Sequence, residues 1–156
     1  MAADSGALAI EHEVVIEAPI EVVWRLVTRA DGLERWLADR VELDARPQGR
    51  GRFVFLGDDE VARVVPVVVE AVEAPRRFAF RWSRPEDGEP QPGSSLSVEL
   101  TLVAEGPERT RVRVVEHGLE SLGWSRADKD RYVDEHRSGW SRLLDRLAGL
   151  ARRPGA

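Results

Sequence analysis

The last stretch of the chain, Ser125 to Arg152, constrains everything before it. Taken at about 100° per residue, its apolar side chains fall on one face. Tyr132, Val133, His136, Trp140, Leu143, Leu144, Leu147, Leu150 and Ala151 fit a stripe roughly 120° wide, while Asp130, Glu135, Arg142, Arg146 and Arg153 lie off it. Ser125 followed by Asp128 reads as a capping box that starts a helix. At about 1.5 Å per residue that helix is roughly 40 Å long. A helix with one long apolar stripe needs a broad apolar surface to cover it.

The rest of the chain supplies such a surface as strands. HEVVIE (His12 to Glu17) reads as a strand, the period is two in Val41 to Ala45 and in RFVFL (Arg52 to Leu56), and Val61 to Val72 is a long β-branched run. The period of two continues in Arg77 to Trp82, Leu96 to Leu102 and Thr110 to His117. Pro66 inside the fourth run points to an edge or a bulge. Two short amphipathic helices interrupt the series after the first strand. Pro19 sits at the start of one, with Ile20, Val23, Trp24 and Val27 on its apolar face. Asp31 is expected to cap the other, with Glu34 three residues on and Leu33, Trp36 and Leu37 facing inward. The order is strand, two helices, six strands, long helix. Short connections favour an antiparallel meander. The fold class expected is α+β, with a curved sheet of about seven strands wrapped around the last helix.

Composition narrows the chemistry. There is no Cys, hence no disulfide, thiolate or sulfur metal site. The three histidines, His12, His117 and His136, show no metal spacing, so no metal or other cofactor is expected. The net charge of −5 argues against a nucleic-acid partner. No apolar run approaches the roughly 20 residues of a membrane span. Residues 1–9 lack the basic start and apolar segment of a signal peptide. The expectation is a cytoplasmic protein with a flexible tail, 1–10, and one domain, 11–152.

Four local patterns carry a family resemblance: VVIEAPIEVVWRLVT (Val14 to Thr28), LERWLAD (Leu33 to Asp39), EAPRRFAFRW (Glu73 to Trp82), and EHGLE followed by GWSRLLDRLAGL (Gly139 to Leu150). In this order and spacing the chain resembles the START-like (SRPBCC) helix-grip superfamily. Within it, the chain is similar to the proteins related to the C-terminal domain of the heat-shock protein 90 ATPase activator. The resemblance covers roughly Glu13 to Leu150. It implies a seven-stranded antiparallel sheet gripping the C-terminal helix, often with an internal cavity. Relatives of this kind include lipid and hormone binders, polyketide aromatases and cyclases, and chaperone activators.

The candidate site residues follow from the inward faces. Trp36, Phe53, Phe55, Phe78, Phe80, Trp82 and Trp140 are core residues or the walls of a ligand cavity. His136 lies in the helix stripe one turn from Trp140, either as a core-edge imidazole or as a cavity-facing group. Glu116 shares a strand face with Val112 and Val114, so alternation points it inward. An inward carboxylate needs a partner or a raised pKa, and a nearby Arg or His136 would serve. Gly139 is expected to permit close approach of helix to sheet. The segments Arg84 to Ser95 and Leu119 to Trp124 would border the cavity mouth.

The leading function is therefore a binder of a small apolar molecule. A cofactor-free cyclase, aromatase or hydrolase with Glu116 and His136 as acid–base groups is the second. A stress-response or chaperone-associated interaction module is the third, and a homodimer is also admitted.

Overall fold

The structure is a computed structural model, and it describes residues 9–84 and 88–152. The first eight residues of the expected tail, and three residues of the expected mouth loop, lie outside the described residues. The element order is β1 (Ile10–Ile16), α1 (Ile20–Thr28), α2 (Ala30–Trp36), β2 (Arg40–Leu43), β3 (Arg50–Leu56), β4 (Ala62–Glu73), β5 (Arg77–Trp82), β6 (Leu96–Ala104), β7 (Thr110–His117), a 3-10 turn (Leu119–Ser121) and α3 (Arg126–Ala151). The seven strands form one antiparallel sheet in the order β1-β7-β6-β5-β4-β3-β2. From β2 to β7 this is the meander that short connections favour. β1 joins its far edge beside β7, with α1 and α2 spanning the distance between the two edges.

Alternation decides the two faces. Phe78, Phe80 and Trp82 of β5 lie on the concave face, as do Leu96, Val98, Leu100 and Leu102 of β6, and Val112, Val114 and Glu116 of β7. All are buried, and the apolar ones form one core with Val133, Trp140, Leu144 and Leu147 of α3. Arg77, Arg81, Arg111 and Arg113 alternate onto the convex face, where each meets a carboxylate. Arg77 pairs with Glu73 and Glu99, Arg81 with Glu70, Arg111 with Glu13 and Glu105, and Arg113 with Glu11.

Several local expectations are refined. β1 begins two residues earlier than HEVVIE suggests, because Ile10 is fully buried opposite Glu116. Asp31 does not cap α2. Arg29 holds the N-cap position without a side-chain bond, and the Asp31 carboxylate accepts from the Gly32 N–H at 3.0 Å. Glu34 instead accepts from the Val41 N–H at 2.8 Å and so ties α2 to the start of β2. Ser125 does cap α3, accepting from the Asp128 N–H at 3.1 Å. Pro66 pairs only toward β3, opposite Arg52, since the β4–β5 ladder starts at Val67. It therefore occupies edge-like backbone, and the bulge in β4 lies further on, between Val69 and Ala71. Gly51 is required where β3 meets β2: a Cβ there would lie 2.1 Å from the Glu42 carbonyl oxygen.

Candidate functional site: a caged carboxylate beneath an open cavity

Glu116 is the last inward residue of β7 and is completely buried. Four donors converge on its carboxylate. The indole Nε1 of Trp82 donates to Oε2 at 2.9 Å, and the indole Nε1 of Trp140 donates to Oε1 at 2.9 Å. His136 Nδ1 lies 2.8 Å from Oε1, and the Tyr132 hydroxyl donates to Oε2. One donor comes from β5 and three from successive turns of α3, spaced i, i+4, i+8. That is the spacing which lines side chains along one helix face. The rings also pack on one another. Tyr132 stacks on His136 with centres 3.7 Å apart, and Trp82 stacks on Trp140 at 6.0 Å.

This saturation fixes the charge state. Burial works against the ionised form of Glu116. The His136 hydrogen bond and charge, with the Tyr132 and Trp140 hydrogen bonds, outweigh it and hold the carboxyl below its ordinary 4.5. For Tyr132, burial, the Glu116 charge and the hydrogen bond to it all act together and push the phenol well above its ordinary 10.0. Among the described residues no buried side-chain nitrogen or oxygen lacks a partner, so the cage is closed.

Above the cage lies a cavity of about 470 Å³, open to solvent on one side. Its apolar wall is Leu37, Phe55, Val65, Trp82, Leu96, Trp140 and Leu143, and its polar groups are Arg63, Ser83, Arg84, Tyr132, Glu135, His136 and Arg142. Of the residues expected at a ligand cavity, Phe55, Trp82, His136 and Trp140 border it. Glu116 lies behind the wall. Phe53, Phe78 and Phe80 are fully buried core instead, with Phe53 and Phe80 in edge-to-face contact at 5.3 Å. Trp36 is likewise away from the cavity, where its Nε1 donates to the Leu26 carbonyl at 2.8 Å and joins α2 to α1. The partner of Glu116 is His136 and no arginine. His136 has no bond at Nε2 among the described residues. Because no buried polar atom is unpaired, Nε2 reaches solvent on the cavity side.

Gly139 requires a correction. It does not sit against the sheet: a Cβ built there would meet nothing within 4 Å, and the residue borders the cavity. Its missing side chain leaves space open between helix and sheet. The mouth is bordered by Arg84, whose guanidinium stacks over Trp124 at 3.9 Å, and Trp124 in turn packs on Tyr132 at 5.4 Å.

The sequence reading missed Tyr132 as a functional side chain, though it lay in the helix stripe four residues before His136. It also missed Arg63. β4 alternation places Arg63 on the face of Val65 and Val67, a signal hidden by its polar character.

Comparison with known proteins fits this architecture. The profile of the "Activator of Hsp90 ATPase homolog 1-like protein" family matches residues 17–152. The chain belongs to this family. Solved structures extend the likeness of this activator-homologue chain at the level of the fold. Protein MLL2253 from Mesorhizobium loti superposes with a TM-score of 0.74 at 23% identity, over 95% of this chain and 99% of that one. CalU16 from Micromonospora echinospora gives 0.65 at 24% identity, over 94% and 76%. DynU16, encoded in the dynemicin biosynthetic locus, gives 0.68 at 24% identity and covers 90% of this chain, which spans 45% of that one. No curated protein matches the sequence. No helix among the described residues is long and apolar enough to cross a membrane.

Proposed function

We propose that this activator-homologue protein binds a small, largely apolar molecule in the cavity between the sheet and α3. The observation that carries the reading is the pairing of an open, aromatic-walled space of about 470 Å³ with one solvent-reaching imidazole nitrogen. Its size falls in the range of small-molecule sites, and its composition has the usual character: mostly apolar, with few oriented polar groups. The cage beneath supports the same reading. Glu116 fixes the His136 ring by its Nδ1, so Nε2 offers a ligand one polar point at a set position. That nitrogen accepts in the neutral ring and donates in the protonated one.

The test is a fluorescence titration with the uncharged probe N-phenyl-1-naphthylamine. The proposal expects one saturable site per chain, with energy transfer from the tryptophans of the wall. Absence of saturable binding would overturn it.

A second reading is favoured by the Glu116–His136 contact itself. A carboxylate holding one imidazole nitrogen while the other faces a cavity is the arrangement of an oriented general base. The ring opening of 5-nitrobenzisoxazole reports such a base in an apolar site. Turnover that vanishes in His136→Gln supports this reading. Equal rates in the two proteins reject it.

A further inference from the structure

The rim of the cavity carries a charge pattern that an apolar ligand alone does not use. Two arginines with no carboxylate partner among the described residues line the cavity, Arg63 from β4 and Arg142 from α3; Arg84, just after β5, and one carboxylate, Glu135, line it as well. This positive rim stands on a chain whose net charge is −5. The convex-face arginines are each matched by a carboxylate at 2.5 to 2.9 Å. Arg63 and Arg142 have no such partner among the described residues.

The placement of Arg63 is graded. Along the concave face of β4, Val69 and Val67 are buried, Val65 is half-buried and Arg63 is exposed, directly opposite Phe55 of β3. The row runs from core to cavity wall to rim, and the guanidinium ends it. On α3, Arg142 adjoins Leu143, a wall residue, but lies off the apolar stripe. It is exposed, as befits a charged side chain at the edge of an apolar wall. An apolar chamber with unmatched cations at its mouth fits a molecule with an apolar body and an anionic end. Guanidinium forks recognise carboxylate or sulfonate oxygens through paired hydrogen bonds.

We propose, on the basis of the cavity reading above, that the ligand is an amphipathic organic anion whose apolar body fills the cavity and whose charged end is held at the rim by Arg63 and Arg142. Glu135, which also lines the cavity, disfavours a second anionic group.

The test compares two probes of one skeleton, uncharged N-phenyl-1-naphthylamine and anionic 8-anilinonaphthalene-1-sulfonate, on wild type and on the double variant Arg63→Gln/Arg142→Gln. Both substituted positions are exposed and outside the core, and near-UV circular dichroism checks that the fold is kept. The double variant should bind the sulfonate about tenfold more weakly and the amine within about twofold of wild type. Sulfonate affinity for wild type should also fall with added salt, since exposed charges are screened. A sulfonate affinity unchanged in the double variant overturns the anionic-end proposal and leaves the cavity reading standing. Failure of both probes to bind wild type overturns the cavity reading itself.

Discussion

Trp82 and Trp140 stack with ring centres 6.0 Å apart, and each gives its indole N–H to a different oxygen of one buried carboxylate. An indole nitrogen can only donate. The two tryptophans therefore present a donor to each oxygen of Glu116, an arrangement that suits the ionised carboxylate, which accepts at both and carries no proton of its own. Burial opposes that charge, and the His136 contact, with the Tyr132 and Trp140 hydrogen bonds, holds it in place.

That geometry makes Glu116→Gln a frustrated substitution despite its matching shape. In either orientation of the amide, its NH₂ faces an indole N–H that cannot turn into an acceptor. Removing the charge and leaving a buried donor unpaired costs about 3 kcal/mol. Urea denaturation should read a loss of that size. A difference under about 0.5 kcal/mol, the range of ordinary surface substitutions, would contradict the cage.

The cage also sets a pH window. The Glu116 carboxyl is held below its unfolded value of 4.5, so its stabilising contribution is complete above 4.5 and is lost as pH falls through the depressed folded value. The Tyr132 phenol is raised above 10.0, so its contribution is complete below 10.0 and is lost as pH rises beyond it. Melting temperatures of wild type and Glu116→Gln should differ most between these limits and converge toward acid. A gap that is unchanged at pH 3 would show that Glu116 does not titrate as described.

Tyr132→Phe isolates the hydroxyl. The ring keeps its stack on His136 and its contact with Trp124, while Glu116 retains its other donors. The expected loss is about 1.5 to 3 kcal/mol by denaturant titration, the scale of one hydrogen bond to a charged acceptor. A loss above about 4 kcal/mol would mean that the hydroxyl organises the cage and does not merely complete it.

Gly51→Ala tests the sheet that carries the wall. A Cβ at Gly51 would lie 2.1 Å from the Glu42 carbonyl oxygen and 2.8 Å from the Leu43 Cα, so β2 must shift. Both atoms are backbone and yield little. A loss of about 1 to 3 kcal/mol is expected, the range of a small-to-large change in a packed site. A fully stable variant would show that β2 moves freely at the edge.

The fold was legible because the last helix and the strands advertise themselves through separate periods. The stripe from Val133 to Ala151 and the alternation in Arg77 to Trp82 each name the face that is buried. Glu116 was legible for the same reason, as a charged residue at an inward step of β7. Whether it met His136 was not, since one lies on a strand and the other on a helix, and only the seating of α3 across the sheet brings them to 2.8 Å. The boundary between core and cavity was not legible. Phe53, Phe78 and Phe80 satisfy the inward pattern equally whether they line a space or fill it, and here they fill it. Gly139 reads as a close-packing residue in a helix, yet what it faces depends on the distance to the sheet, which no local pattern encodes. Arg63 was passed over because a polar residue at the end of a strand reads as solvated surface.

The central claim is that the space between α3 and the sheet is a ligand site, and Gly139→Leu tests it most directly. The added side chain projects into open space at the cavity wall, and replacing a mid-helix glycine favours the helix by about 1 kcal/mol. The variant should match or exceed wild type in melting temperature while losing N-phenyl-1-naphthylamine binding by about tenfold or more. A stable variant that binds the probe as wild type does would place binding elsewhere and contradict the account.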